Sequence, residues 1–183
     1  QETKQSKQYL SLYDGRFVIT AINASISLID IPAARILVAS SYLLKNYPTN
    51  TITRRPIMVP VSVELKQDEI DFILTQSATI KQWGFELEQI ATEQMLIRSI
   101  PARLHYADSI ALFRSFLKAL LLEKTDQKIA SSIAEHINDA GIGQEDILQL
   151  VNEINLYQAD YAQLKSLPWR KLEQDTLVSL LQN

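Results

Sequence analysis

Two histidines, His105 and His136, and no cysteine stand in this chain of 183 residues, so a metal or acid–base centre would rely mainly on carboxylates. Glu135, His136 and Asp139 form a Glu-His-x-x-Asp pattern that a helix would place on neighbouring turns, a geometry able to hold a metal. The same pattern describes a solvated helix face ahead of Gly141, and it matches no motif that carries a mechanism. His105, three residues before Asp108, reads as a surface imidazole beside a helix cap. Asp68, Glu69 and Asp71 are carboxylates of a first helical turn, where the macrodipole favours negative charge, rather than a glycosidase pair. No serine lies two residues from a glycine, as a GxSxG elbow requires. The missing cysteines remove disulfides, thiolate zinc sites, iron–sulfur clusters and thiol nucleophiles, and fit a reducing cytoplasm, the expected location.

Binding chemistry is equally sparse. Eighteen basic against 21 acidic residues give a net charge of −3, so contact with a nucleic acid must be local. Arg54-Arg55 and Arg170-Lys171, the latter beside Trp169, have the right charge for phosphate, but pairs this small read as solvated surface. Neither GxGxxG nor GxxxxGK[ST] occurs.

The elements that must position these residues are well marked. With 46% hydrophobic residues, four glycines and six prolines, the chain is globular and forms one domain or two small lobes. Its apolar runs, such as Ala119 to Leu122, are far shorter than the ~20 residues that span a bilayer, so no membrane role is expected. It opens Gln1-Glu2-Thr3-Lys4 without methionine, which suggests a piece of a longer protein with residues 1–8 as a polar lead-in. Phe17–Ile22 and Ile26–Ile29 predict a β-hairpin. Asp30 and Pro32 then start a helix over 32–46, and Tyr47–Thr51 make a linker. Ile57, Val59, Val61, Val63 and Leu65 alternate with Met58, Pro60, Ser62, Glu64 and Lys66, which predicts a strand. A helix over 68–82 stops at Gly84, strands follow near Phe85–Leu87 and Met95–Ile100, and Asp108 caps a strongly amphipathic helix. Beyond it strands give out, and helices are marked near 129–137, 147–154 and 177–181. The fold class is α+β.

One segment asks for an interaction. With Ile57, Val59 and Val61 facing inward, Met58 and Pro60 fall on the opposite face, and an exposed methionine has no role in folding. Proline donates no ladder hydrogen bond, so either this end of the strand is a sheet edge or Pro60 faces solvent. Arg55, Pro56, Ile57, Met58, Val59 and Pro60 thus form a candidate docking segment for a hydrophobic groove. Coverage of Met58 by the last helices is the alternative.

The order FVITAINASISLIDIPAARILVASSYLL, RPIMVPVSVEL, IKQWGFELEQ and LIRSIPARL resembles the C-terminal dimerisation domain of γ-proteobacterial MutL proteins of DNA mismatch repair, from about Gly15 to the end of the chain. The resemblance implies a two-lobed fold: residues 1–50 and 125–183 form a discontinuous dimerisation lobe, and 51–124 an inserted β-α-β-β regulatory lobe. It further implies a homodimer, formed along the 17–29 hairpin, the 32–46 helix and parts of the last helices.

Many MutL proteins carry a metal-dependent endonuclease here, marked by DQHAxxExxxxE. That motif aligns with Asp30, Ile31, Pro32 and Ala33, and its glutamates with Ile36 and Ser41, so only the Asp and Ala remain. The resemblance therefore implies the type without catalytic activity or metal, whose incision is made by a separate nuclease, MutH. ATP and magnesium are expected only in an N-terminal ATPase region. A sliding-clamp motif, Gln-x-x-Leu/Ile-x-Pro, aligns with Arg55, Met58 and Pro60. Arg55 replaces the glutamine and cannot accept the hydrogen bonds an amide oxygen can, so clamp binding is expected to be weak. MutS, MutH and the UvrD helicase are further partners implied by the resemblance, with weak DNA contact. The competing readings are an endonuclease with a degenerate motif and an unrelated helical scaffold.

Overall fold

The computed structural model describes residues 11–22, 25–104, 107–137, 143–156, 161, 164 and 166–181. The chain divides into two compact units, one built from residues 1–38 and 139–183 and the other from 39–138.

The discontinuous unit is built on an antiparallel sheet. Strands β1 (Ser11–Tyr13), β2 (Phe17–Ile22), β3 (Ser25–Asp30) and β7 (Trp169–Lys171) lie in the order β1-β2-β3-β7. β2 and β3 form the hairpin expected from their β-branched runs, with Val18 opposite Ile29 and Thr20 opposite Ser27. Asp14 and Gly15, both at positive φ, turn β1 into β2. The core joins Val18, Ile22 and Ile29 to Ile31, Ala34 and Val38 of α1 (Ile31–Asn46) and to Ile147, Leu150, Val151 and Ile154 of α6 (Gln144–Leu156). A helix Gln174–Leu181 closes the chain.

The continuous unit holds a second antiparallel sheet, β4 (Arg54–Glu64), β6 (Gln94–Pro101) and β5 (Glu86–Ala91), in that order. Its core gathers Val63, Ile97 and Ile100 with Ile70 and Ile73 of α2 (Gln67–Thr75), Ile80 of α3 (Ser77–Gln82), Phe113 and Phe116 of α4 (Ser109–Leu121) and Ile129 and Ile133 of α5 (Asp126–Ala134). Trp83 stacks on Tyr47 at 4.2 Å between ring centroids, and Phe85 on Phe116 at 4.6 Å. Such contacts add to plain burial.

Several expectations are corrected. The helix over 68–82 is two helices meeting at Gln76, where the Thr75 hydroxyl donates to the Asp71 carbonyl, a back-bond that bends helices. Strands do not give out after Asp108: Trp169–Lys171 adds to β3, a pairing too short to leave a period in the sequence. β1 is a further short strand that the sequence did not announce. The compact units change over at 38/39 and 138/139. Leu43, Ile129 and Ile133 bury in the core of the continuous unit, which draws the end of α1 and all of α5 into it.

Candidate functional site

The β2–β3 hairpin departs from the usual alternation of an antiparallel sheet with one wet face, apolar inward and polar outward. On the core side the hydroxyl residues Thr20 and Ser27 are each only 3% exposed. On the outer side lie Phe17, Ile19, Ala21, Ile26 and Leu28, held together by the pairs Ile19–Leu28 and Ala21–Ile26. Ile19 is 41% and Ile26 47% exposed. Arg16 closes one end of this face, its guanidinium 5.2 Å over the Phe17 ring and 2.8 Å from Asp30 Oδ2. The hydrogen bond from Arg16 to Asp30, with the attraction between their charges, raises the guanidinium pKa.

In the continuous unit, β4 is an edge strand with an irregular register. Pro56 pairs with Ser99 and Val61 with Ile97, so Ile57, Met58, Val59 and Pro60 stand opposite Arg98 alone. Prolines at 56 and 60 offer no N–H to β6, and the stretch they frame bulges out of the ladder. Ile57 and Val61 pack against the core and fix both roots of the bulge. Met58 is 98% and Val59 78% exposed. Met58 is therefore not covered by helices. Val59, expected inward, points to solvent because the bulge breaks the period of two, and Pro60 is half-buried rather than outward.

The remaining candidates are dispersed. Asp30 ends β3, and its Oδ1 accepts from the Ala33 N–H at 3.4 Å, at the start of α1. Ile31 is buried, Pro32, Ile36 and Ser41 are half-buried, and Ala33 is exposed. Glu135 and His136 fall in the turn after α5, not on one helix with Asp139, because α5 ends at Ala134. His136 Nε2 lies 2.7 Å from Ser115 Oγ, a structural tie between the turn after α5 and α4 rather than a solvated face. Asp139, Gly141 and His105 lie outside the described residues. Among the described residues no three His, Cys, Asp or Glu side chains converge as metal ligands, and no helix is long and apolar enough to cross a membrane.

Residues 10–140 match the sequence profile of the MutL C terminal dimerisation domain. The chain belongs to this family. The MutL domain is similar to DNA mismatch repair protein MutL of Pseudomonas aeruginosa strain LESB58, 26% identical over 126 residues, which is 69% of this chain and 20% of that protein. It is also similar to the MutL of Cellvibrio japonicus strain Ueda107, 25% identical over 130 residues, or 71% of the chain and 20% of that protein. The MutL of Aeromonas salmonicida strain A449 is 24% identical over 128 residues, or 70% and 20%. The chain thus spans about a fifth of these relatives' length. Of these two exposed apolar stretches, the Arg55–Pro60 segment was legible from period and proline. The outer hairpin residues were not singled out, although the sign was present: neither parity of Phe17–Ile22 is polar.

Proposed function

We propose that this MutL domain joins two copies of itself through the outer face of the β1-β2-β3-β7 sheet, in the cytoplasm, as a non-cutting assembly domain of mismatch repair. The observation that carries this reading is the apolar outer face of the hairpin, Phe17, Ile19, Ala21, Ile26 and Leu28, which one protomer leaves partly open to water. A two-fold pairing sets the same patch against itself and covers it on both chains at once. The family's description as a dimerisation domain supports it. Size-exclusion chromatography with light scattering tests it, and a monomer at micromolar concentration would refute it.

The donor set argues against metal-dependent cutting. Ile36 and Ser41 occupy the glutamate positions, Pro32 that of the histidine, and the Asp30 carboxylate is engaged by Arg16 and the Ala33 N–H. Manganese-dependent nicking of supercoiled plasmid, lost in Asp30→Asn or His136→Ala, would restore the endonuclease reading. ATP and magnesium then belong to an N-terminal ATPase region of the full protein, with MutS, MutH and UvrD as partners and DNA held weakly through this domain.

A second surface supports recruitment. Met58 and Val59 project from an edge strand between two prolines, as an apolar pin for a partner's groove, and the sliding clamp is the partner proposed. An edge without free ladder donors at Pro56 and Pro60 discourages β-addition, so side chains rather than backbone make the contact.

A further inference from the structure

We infer that the groove receiving the Met58–Val59 pin is rimmed by carboxylates, and that Arg54 and Arg55 recognise that rim. The inference rests on the docking reading above and adds the chemistry of the partner's surface.

Three guanidinium groups stand on or beside the bulge, and they differ in what already holds them. Arg98, the residue opposite the bulge, donates through Nε to Glu88 Oε2 at 2.6 Å and forms an ion pair with it. Arg54 and Arg55 are both exposed, and among the described residues neither guanidinium has an ion-pair or hydrogen-bond partner. Arg55 and Met58 are three residues apart, at most about 10 Å along extended chain, so cation and pin address one patch of a partner.

A guanidinium has donors and no acceptor. The surface that satisfies Arg55 must therefore supply acceptors, and carboxylates do so with bidentate geometry and opposite charge. Phosphates would satisfy the arginines equally well but offer nothing to Met58 and Val59, 98% and 78% exposed. Pin and cations together select a protein groove with an acidic border over a nucleic acid. The net charge of the chain, −3, gives no long-range attraction to an acidic partner, which leaves the work to this local pair.

The test measures binding of the whole chain to purified cognate sliding clamp at low and at physiological salt. Exposed rim charges act mainly on association rate and salt dependence. R54A/R55A is expected to weaken binding about three- to tenfold at low salt and to flatten the salt dependence, with R54E/R55E weaker still. M58A/V59A abolishes binding at either salt. Wild-type affinity and salt dependence in R54A/R55A, with M58A/V59A still inactive, would overturn the acidic rim and leave the docking reading standing. A wild-type chain that does not bind the clamp at low salt would remove both. Binding to duplex DNA that R54A/R55A weakens and M58A/V59A does not, with clamp binding unaffected by the arginines, would assign the pair to phosphate and overturn the inference.

Discussion

Replacing Ile26 by Asp should split the dimer without unfolding the protomer. Ile26 keeps 47% of its surface exposed. Full burial of an isoleucine stabilises by about 1.5–3 kcal/mol, so covering the remaining half contributes about 1 kcal/mol. A two-fold interface holds the residue twice, which makes the apolar loss about 2 kcal/mol. The substitution also puts a carboxylate into each copy of the patch, and desolvating an unpaired one costs several kcal/mol. A total of at least about 4 kcal/mol is about a thousandfold in the dimer dissociation constant. In the monomer the change sits on an exposed strand position and costs about 1 kcal/mol at most through lost β-propensity. Sedimentation equilibrium across a concentration series reads the association, and circular dichroism reads the fold. Leu74→Asp is the control, because Leu74 is 51% exposed on α2, in the other compact unit. Ile26→Asp that remains folded and dimeric with the wild-type constant would refute the assignment of the outer face as the interface.

Other substitutions probe the remaining claims. Met58→Ala with Val59→Ala should remove clamp association in a pull-down while leaving the dimer and its melting temperature unchanged, since exposed residues contribute within about 0.5 kcal/mol of nothing to stability. Gly84→Ala should destabilise by about 1–3 kcal/mol in urea unfolding: Gly84 has φ of 90°, and a Cβ there would meet Ile52 Cγ2 at 2.9 Å and Pro101 Cγ at 3.1 Å. Asp108→Ala should cost about 1 kcal/mol in the same assay, because the Asp108 carboxylate accepts from the N–H groups of Ile110 and Ala111 at 2.9 and 3.0 Å.

Where local chemistry decides local structure, the residues spoke plainly. Asp108 caps α4, Gly84 follows α3 in the left-handed region, and the 17–29 hairpin forms from its β-branched runs. Where two distant segments must meet, the reading failed in identifiable ways. Val59 was placed inward by a period of two, yet periodicity assumes an unbroken ladder, and the register against β6 slips between Pro56 and Val61. Trp169–Lys171 carries no alternation and becomes a strand only because β3 offers it an edge. His136 reads as part of a solvated helix face until Ser115, 21 positions earlier, comes within 2.7 Å.

The sequence by itself determined that this chain has no thiol and no intact DQHAxxExxxxE stretch, that it is α+β, and that an apolar tract between two prolines lies in an edge-prone strand. Those conclusions follow from residue types and near spacing, which no tertiary arrangement can alter. Only the folded structure decided which apolar residues are left over once the cores close. Burial of Thr20 and Ser27 turns Ile19 and Ile26 outward, and the bulge lifts Met58 and Val59 clear of the ladder. Exposure of this kind is a remainder, fixed by what all other segments cover, so it has no local signature to read.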